Sequence, residues 1–538
     1  MWAPYNIFSG FPYESGFPYF SETHTGRIGF YYVADRMRLY ESVFYHLSYL
    51  LGEYLHIGGS YVPYQVVYAL LWCARGYLVF LLVRRFLPSQ PMLAYVAGAL
   101  VLVHSSDGAL QWVGQMNHFG YMFWMLAAFL SLTVALETRW LFSIPILVAS
   151  CVFEYLSLFS YESPILLILI FPLILILHPK RKIRKWIPLA SAWYVVPAIY
   201  VRMALPRYTS GQQTYQQTVA RKSWSVSSIA NDWWFNISSS LEFWKWVRGP
   251  WRSAALPAVI LSVALAAAFV LTGFLLTRIW RTRQSNPNSR EISGLIWFLI
   301  VGLVVLILSF PVYLVLDTAR GLWRTQMLSG IGAGIVFAAL IGLATQPIRR
   351  SEWRVPVLLI GSSVIAFAGS VSAIQKSAVH RWIWEKHRAA IREVLQIAPD
   401  IKSKTIVILA NVPGGMEDPF GDNMWYDMAL RLVYPNRIVS GIYIYANGSR
   451  ATGDNLVMKG DRWVWDGSGY PPLVRNESVS NTVVVDYQAF GRGKLDPSIP
   501  QAACTPDCSA AGLYHPSSVI TGPISPRALR RYNLPPNY

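Results

Sequence analysis

SAALPAVILSVALAAAFVLTGFLLT, residues 253–277, is the stretch that decides the architecture. It carries no charged side chain and lies between Arg252 and Arg278. As a helix rising 1.5 Å per residue, about 20 such residues cross a bilayer core of roughly 30 Å. The apolar residues run continuously instead of alternating, so a spanning helix is expected and not a barrel strand. Working outward, the same pattern recurs at 64–83, 91–104, 118–137, 140–158, 163–178, 186–203, 293–316, 326–345 and 354–374, with a tight turn at Thr138–Arg139. The expectation is a polytopic α-helical membrane protein with about ten spans. Composition agrees: of 538 residues 54% are hydrophobic and 14% charged, with mean hydropathy +0.35, where soluble domains carry about 25% charged residues.

The formal net charge of +18 fits positive loops drawn to anionic lipid head groups. Nucleic-acid binding is excluded, because the basic residues sit in short loops between apolar runs and not on one soluble face. One set of loops holds Arg84, Arg85, Arg139, Lys180, Lys185, Arg278, Arg349 and Arg350, among others. The short loops of the opposite set, 105–117, 159–162 and 317–325, hold only Arg320 and Arg324. The first set is therefore read as cytoplasmic. The N-terminal segment 1–63, the loop 204–252 within the bundle 64–374, and the C-terminal domain 375–538 are then extracytoplasmic, in a plasma membrane of bacterial type. That placement calls either for translocation of the N-terminal tail or, as we expect, for an apolar helix upstream of Met1. Residues 38–56, RLYESVFYHLSYLLGEYLH, read as an amphipathic helix in the outer interface, its apolar stripe being Leu39, Val43, Leu47, Leu50 and Leu51. The Trp-rich loop, with Trp233, Trp234, Trp244, Trp246 and Trp251, reads as an interfacial aromatic belt, or alternatively as a stacking platform for sugars or lipid head groups.

After the last span, KSAVHRWIWEKHRAAIREVLQIAPD predicts a helix ended by Pro399, and KTIVILANVP, RIVSGIYIYA and NTVVVDYQAF read as strands divided by Gly, Pro and Asn clusters. A small α/β or mixed domain over about 400–538 is expected. Cys504 and Cys508, in C-T-P-D-C, suit a disulfide in an oxidising compartment, whereas Cys73 and Cys151 lie in apolar runs as small hydrophobes. No Gly-rich phosphate loop, zinc motif or nucleophile elbow is present.

Four blocks, in this order, carry a resemblance. Gly26-Arg27 and the amphipathic helix lead into YQVVYALLWCARGYLVFLLVRRF; AYVAGALVLVHSSDGALQWVGQMNHFGYMFWMLAAFLSL contains a helix ending at a His, an external turn with a Trp, and another helix. CVFEYLSLFSYESPILLILIFPLILIL and RGLWRTQMLSGIGAGIVFAALIGL follow, before the exit segment HRWIWEKHRAAIREVLQIAP. This order resembles the GT-C superfamily of polyprenyl-phosphate-sugar-dependent glycosyltransferases, in its protein O-mannosyltransferase-like and TMTC-like branch, over residues 26–400. The third block is similar to the family's S-K-E block, with Tyr161 where Lys often stands and Glu162 in the acidic position. The fourth is similar to its E-R-Y block, with Arg324 at its Arg.

The resemblance implies transfer of a sugar from a polyprenyl-phosphate donor to an extracytoplasmic protein, lipid or glycan acceptor. Such chemistry needs a carboxylate for the acceptor and cations for the departing phosphate. The family's acid stands early in the first external loop, often as an acidic pair; here only Glu14, Glu22 and Asp35 are available, and one of them is expected to act. Arg320 and Arg324, four apart and suited to bidentate phosphate contacts, are the expected cations. Glu162, His104, Asp107, Gln115 and His118 are expected to help bind substrate, and Arg75, mid-span, to face the bundle or a lipid phosphate. The residues contain no ligand set for a metal; a divalent cation such as Mg2+ or Mn2+ is used by some members of the family. Two rivals stand beside this reading. One is a non-catalytic GT-C-like scaffold binding through its C-terminal domain, which the missing acid pair favours. The other is a polysaccharide polymerase, ligase or lipid transporter relying on loop 204–252.

Overall fold

The computed structural model describes residues 40, 43–49, 51, 62–105, 113–177, 183–209, 224–246, 256–280, 290–314, 326–348, 350–434, 437–451, 456–466, 472–474, 476–504, 512–532 and 534. Helices dominate as far as residue 397, and small sheets follow. The helices are α1 (Val43–Tyr49), α2 (Val62–Phe86), α3 (Pro91–Val103), α4 (Met116–Glu137), α5 (Trp140–Leu158), α6 (Ile165–Ile174), α7 (Ile183–Trp193), α8 (Val195–Thr209), α9 (Val226–Leu241), α10 (Leu256–Trp280), α11 (Arg290–Leu308), α12 (Pro311–Leu314), α13 (Ser329–Ala344) and α14 (Ser351–Ile397). Among the described residues seven helices are long and apolar enough to cross a membrane, and three shorter apolar helices accompany them, Pro91–Val103, Ile165–Leu177 and Ser329–Ala344. Each apolar segment read from the sequence coincides with one of these helices.

Small residues let the helices pack closely, as they must where lipid gives no hydrophobic drive to associate. A Cβ on Gly76 of α2 would stand 2.7 Å from the carbonyl oxygen of Gly98 in α3, and the reverse holds at the same distance. Polar groups are satisfied at the bundle's ends. Lys185, read as a loop cation, is only 5% exposed and donates to the carbonyls of Ala135 and Thr138, at the C-terminus of α4 where a cation is favoured. Arg85 pairs with Glu137 at the same end.

Three placements differ from the sequence reading. On α1, Val43 and Leu47 point outward, while Tyr45 and Ser48 are fully buried. Phe44 stacks on Trp124 at 5.3 Å, so the aromatic residues pack on the bundle, joined by Leu51 from the aliphatic stripe. Within the Trp-rich loop α9 is a helix, and Trp246 is core (7% exposed), while Trp234 and Trp244 remain on the surface. Last, α14 runs unbroken from Ser351 to Ile397, so the boundary read at 374/375 falls inside one continuous helix.

That helix delivers the chain to β1 (Asp400–Ile401), β2 (Thr405–Val412), α15 (Asn423–Val433), β3 (Val439–Tyr445), β4 (Leu456–Lys459), β5 (Arg462–Trp465), β6 (Glu477–Ser478), β7 (Thr482–Asp486), β8 (Lys494–Leu495), β9 (Ile520–Thr521) and α16 (Pro526–Tyr532). The main sheet has order β3-β2-β7-β8. β2 is parallel to both β3 and β7, and β8 is antiparallel to β7. The near-continuous apolar run of β2 is what a strand buried on both faces requires. All three strands read from the sequence are present, in a mixed sheet. Cys504 is disulfide-bonded. Cys73 and Cys151 are free, and Cys508, the partner expected for Cys504, lies outside the described residues.

Candidate functional site

The first feature is apolar. Five helices turn one face each onto a cavity of about 300 Å³ lined only by apolar residues. From α2 come Val79, Leu82, Val83 and Phe86; from α4 Met125, Leu126 and Phe129; from α6 Leu167, Ile170, Phe171 and Ile174. α11 supplies Gly294, Trp297, Phe298, Val301 and Val305, and α13 supplies Ile331 and Ile335. The three- and four-residue steps in these sets are single helix faces. Trp297 also reaches the outer surface of the bundle, where it is 49% exposed.

The second feature lies on the same faces, away from the Arg84–Arg85 end. Arg75 is one turn above Val79 on α2 and is 1% exposed. Its Nη2 donates to the Val101 carbonyl at 2.7 Å, and its guanidinium lies 5.4 Å from the Trp72 ring and 5.1 Å from that of Phe119. Arg75 thus faces the bundle, as its cost in lipid demands. Beside Phe119 on α4, His118 is 1% exposed. It lies 4.8 Å from the Tyr161 ring and 5.8 Å from the Tyr121 ring, and the two tyrosines stack at 5.4 Å. Tyr313 of α12 lies close to Tyr121, Ser163 and Glu162, which act on it electrostatically. Gln115 is 2% exposed, and its Oε1 has no hydrogen-bond partner among the described residues. A buried polar layer, with one cation, therefore covers an apolar cavity.

The sequence-derived candidates divide accordingly. His118 lies against Tyr161 at 4.8 Å, Gln115 is buried three residues before His118, and Glu162 follows Tyr161 in the chain and acts on Tyr313. His104 does not join them. Its Nε2 meets the Ser240 carbonyl at 3.1 Å, its ring stands edge-on to Trp246 at 4.8 Å, and a Cβ on Gly330 would reach 2.8 Å from its Nδ1. Ser240 continues to Gln326 and Ser329, and Gln326 donates to Asn236 Oδ1 at 2.7 Å. This network fastens α9 between α3 and α13, which makes His104 a packing residue. Glu14, Glu22, Asp35, Asp107, Arg320 and Arg324 lie outside the described residues. Among the described residues no group of three or more His, Cys, Asp or Glu could hold a metal ion.

Two features were missed by sequence reasoning. Tyr313 looked like one more apolar span residue. Glu154 of α5 is fully buried, and neither carboxyl oxygen has a hydrogen-bond partner among the described residues. A lone acid in an apolar run was the available signal. No family model and no curated protein matches this sequence.

Proposed function

We propose that the chain is a membrane glycosyltransferase that draws its sugar from a polyprenyl-phosphate carrier and delivers it to an acceptor on the extracytoplasmic side. The observation that carries this reading is the stacking of a buried polar layer, with Arg75, His118 and Tyr161, on a cavity of about 300 Å³. An amphiphile with a long hydrocarbon chain and an anionic, hydroxylated head matches both parts at once. The chain enters the cavity, and the head meets the tyrosines, His118 and a guanidinium able to bind phosphate oxygens. In the same reading Arg320 and Arg324 add cations for the departing phosphate, and one of Glu14, Glu22 and Asp35 is the acid that activates the acceptor.

The test is transfer of radiolabelled sugar from a polyprenyl-phosphate donor by the purified full chain in nanodiscs. Arg75→Met and Arg324→Ala should each lower transfer by at least about tenfold, the worth of one charge-assisted hydrogen bond. Transfer at the parental rate by both variants refutes the reading.

A further inference from the structure

The apolar cavity has a long axis and an open side. Along α2 its wall begins at Val79, one turn from Arg75, and reaches Phe86 and Leu87 beside the Arg84–Arg85 end. On α11 the wall runs the other way, from Val305 back to Gly294. A Cβ on Gly294 would stand 3.4 Å from Leu87 Cδ2, so Gly294 lies at the end remote from Arg75, with Trp297 one turn from it. At 1.5 Å per residue the path from Arg75 to Phe86 is about 16 Å long.

The walls differ in burial. Met125, Leu126 and Phe129 of α4 and Ile331 and Ile335 of α13 are buried. On α6 and α11 the wall is thinner: Ile170, Ile174, Gly294 and Val301 are only half-buried, and Trp297 is exposed. The cavity therefore opens sideways between α6 and α11. The outer surface flanking that side is apolar, with Leu173, Ile296 and Ile300 exposed. Along the axis the way is different. Arg85 pairs with Glu137 at that end, so a hydrocarbon chain that continued straight would meet charge, which apolar groups do not solvate. Turning sideways, it meets lipid.

We propose that the cavity grips only the head-proximal part of a polyprenyl chain, and that the remainder leaves between α6 and α11, beside Trp297, into the bilayer. The inference rests on the transferase reading and deepens it to the length of the lipid. An extended chain advances about 1.2 Å per bond, a third of the span of one residue. A path of about 16 Å thus takes up roughly thirteen bonds, or about three isoprene units. Units beyond these exchange one hydrocarbon environment for another and gain nothing from the protein. Recognition is then indifferent to length past the exit, and Gly294 decides whether a long chain can leave.

The experiment photolabels the full chain in nanodiscs with two probes and maps the adducts by mass spectrometry. Farnesyl phosphate with a diazirine on its first isoprene unit should label Val79, Ile331 or Ile335. Undecaprenyl phosphate with a diazirine on its fourth unit should label Trp297 or Ile174. Unlabelled farnesyl and undecaprenyl phosphate, at equal mole fraction of the bilayer, should compete equally. Gly294→Leu narrows the exit, and its first added carbon makes only ordinary contact with Leu87. Undecaprenyl labelling should fall at least about fivefold, the lower end of what overpacking costs, while farnesyl labelling stays parental and shows that the variant is folded. If the variant loses both, the map and the competition in the parent decide. No labelling of the bundle, labelling of α4 or α13 by the distal diazirine, stronger competition by the longer chain, or parental undecaprenyl labelling in Gly294→Leu overturns the proposal. Sugar transfer is measured on the same nanodiscs: the expected map without transfer overturns the enzyme and leaves the path of the chain standing.

Discussion

Filling the membrane cavity separates a lipid-chain site from a packing defect. The space opens to the outer surface beside Trp297, 49% exposed, so a hydrocarbon chain can enter it and gain roughly 0.8 kcal/mol for each CH2 it buries against the apolar walls. Val79, 1% exposed, and Ile335 project into the space. Val79→Phe adds about four carbons, worth up to about 3 kcal/mol at roughly 0.8 kcal/mol per buried CH2. The assay is melting of the purified chain by tryptophan fluorescence in short-chain-lipid nanodiscs, with and without added polyprenyl phosphate. The parent should melt several degrees higher with polyprenyl phosphate. Val79→Phe and Ile335→Phe should match or exceed the parent without it and gain little when it is added. The reasoning is refuted if the parent does not respond, or if both filled variants keep the full response.

Asp418→Ala removes the acceptor of two tyrosine hydroxyls and two loop amides; with Tyr443 fully buried, the orphaned hydroxyls should cost about 2–5 kcal/mol, read as early proteolysis after β2 while the helices remain protected. Burial raises the Glu393 carboxyl above its ordinary 4.5, against the pull of the Gln488, Phe490 and Gly491 amides. A raised folded value means stability that is present at low pH and lost as pH climbs through that value, so the C-terminal region should melt lower as pH rises above 4.5, and Glu393→Gln should flatten that slope. Gly98→Val drives side-chain atoms into the Gly76 carbonyl oxygen, 2.7 Å from the first added carbon; overpacking of about 1–3 kcal/mol or more should show as loss of the monodisperse peak in size-exclusion chromatography.

The helical body was legible because hydrocarbon permits so few solutions: a run such as 253–277 has no alternative to a helix. The strands of the C-terminal region were legible too, from β-branched runs between Gly and Asn clusters, although their order was not. Pairing is non-local, and nothing in TVVVD says that it lies beside TIVILANV and not beside VSGIYIY. The candidate site was half legible. His118, Gln115 and Glu162 stood out as polar residues at helix ends, but His104 stood out for the same reason and proves to be packing. Position at a helix end does not reveal whether a ring nitrogen faces a neighbouring carbonyl. The cavity left no trace, because its walls are the same Val, Leu, Ile and Phe that fill the core elsewhere.

The continuity of α14 links the helical body to the sheet. Near its membrane half, Ser372 pairs with Ser105 at 3.1 Å and Lys376 donates to the Ser105 carbonyl, next to the His104 network. Further on, Glu393 accepts the Gln488 amide beyond β7 at 2.7 Å. At 1.5 Å per residue, Glu393 lies about 30 Å along the helix from Ser372, so one stiff rod is fastened to both parts. Ala378→Pro, which costs about 3 kcal/mol or more in a helix interior, should break that link, and the helical body and the C-terminal region should then melt in two separate transitions. A single transition at the parental temperature would mean that α14 does not couple them.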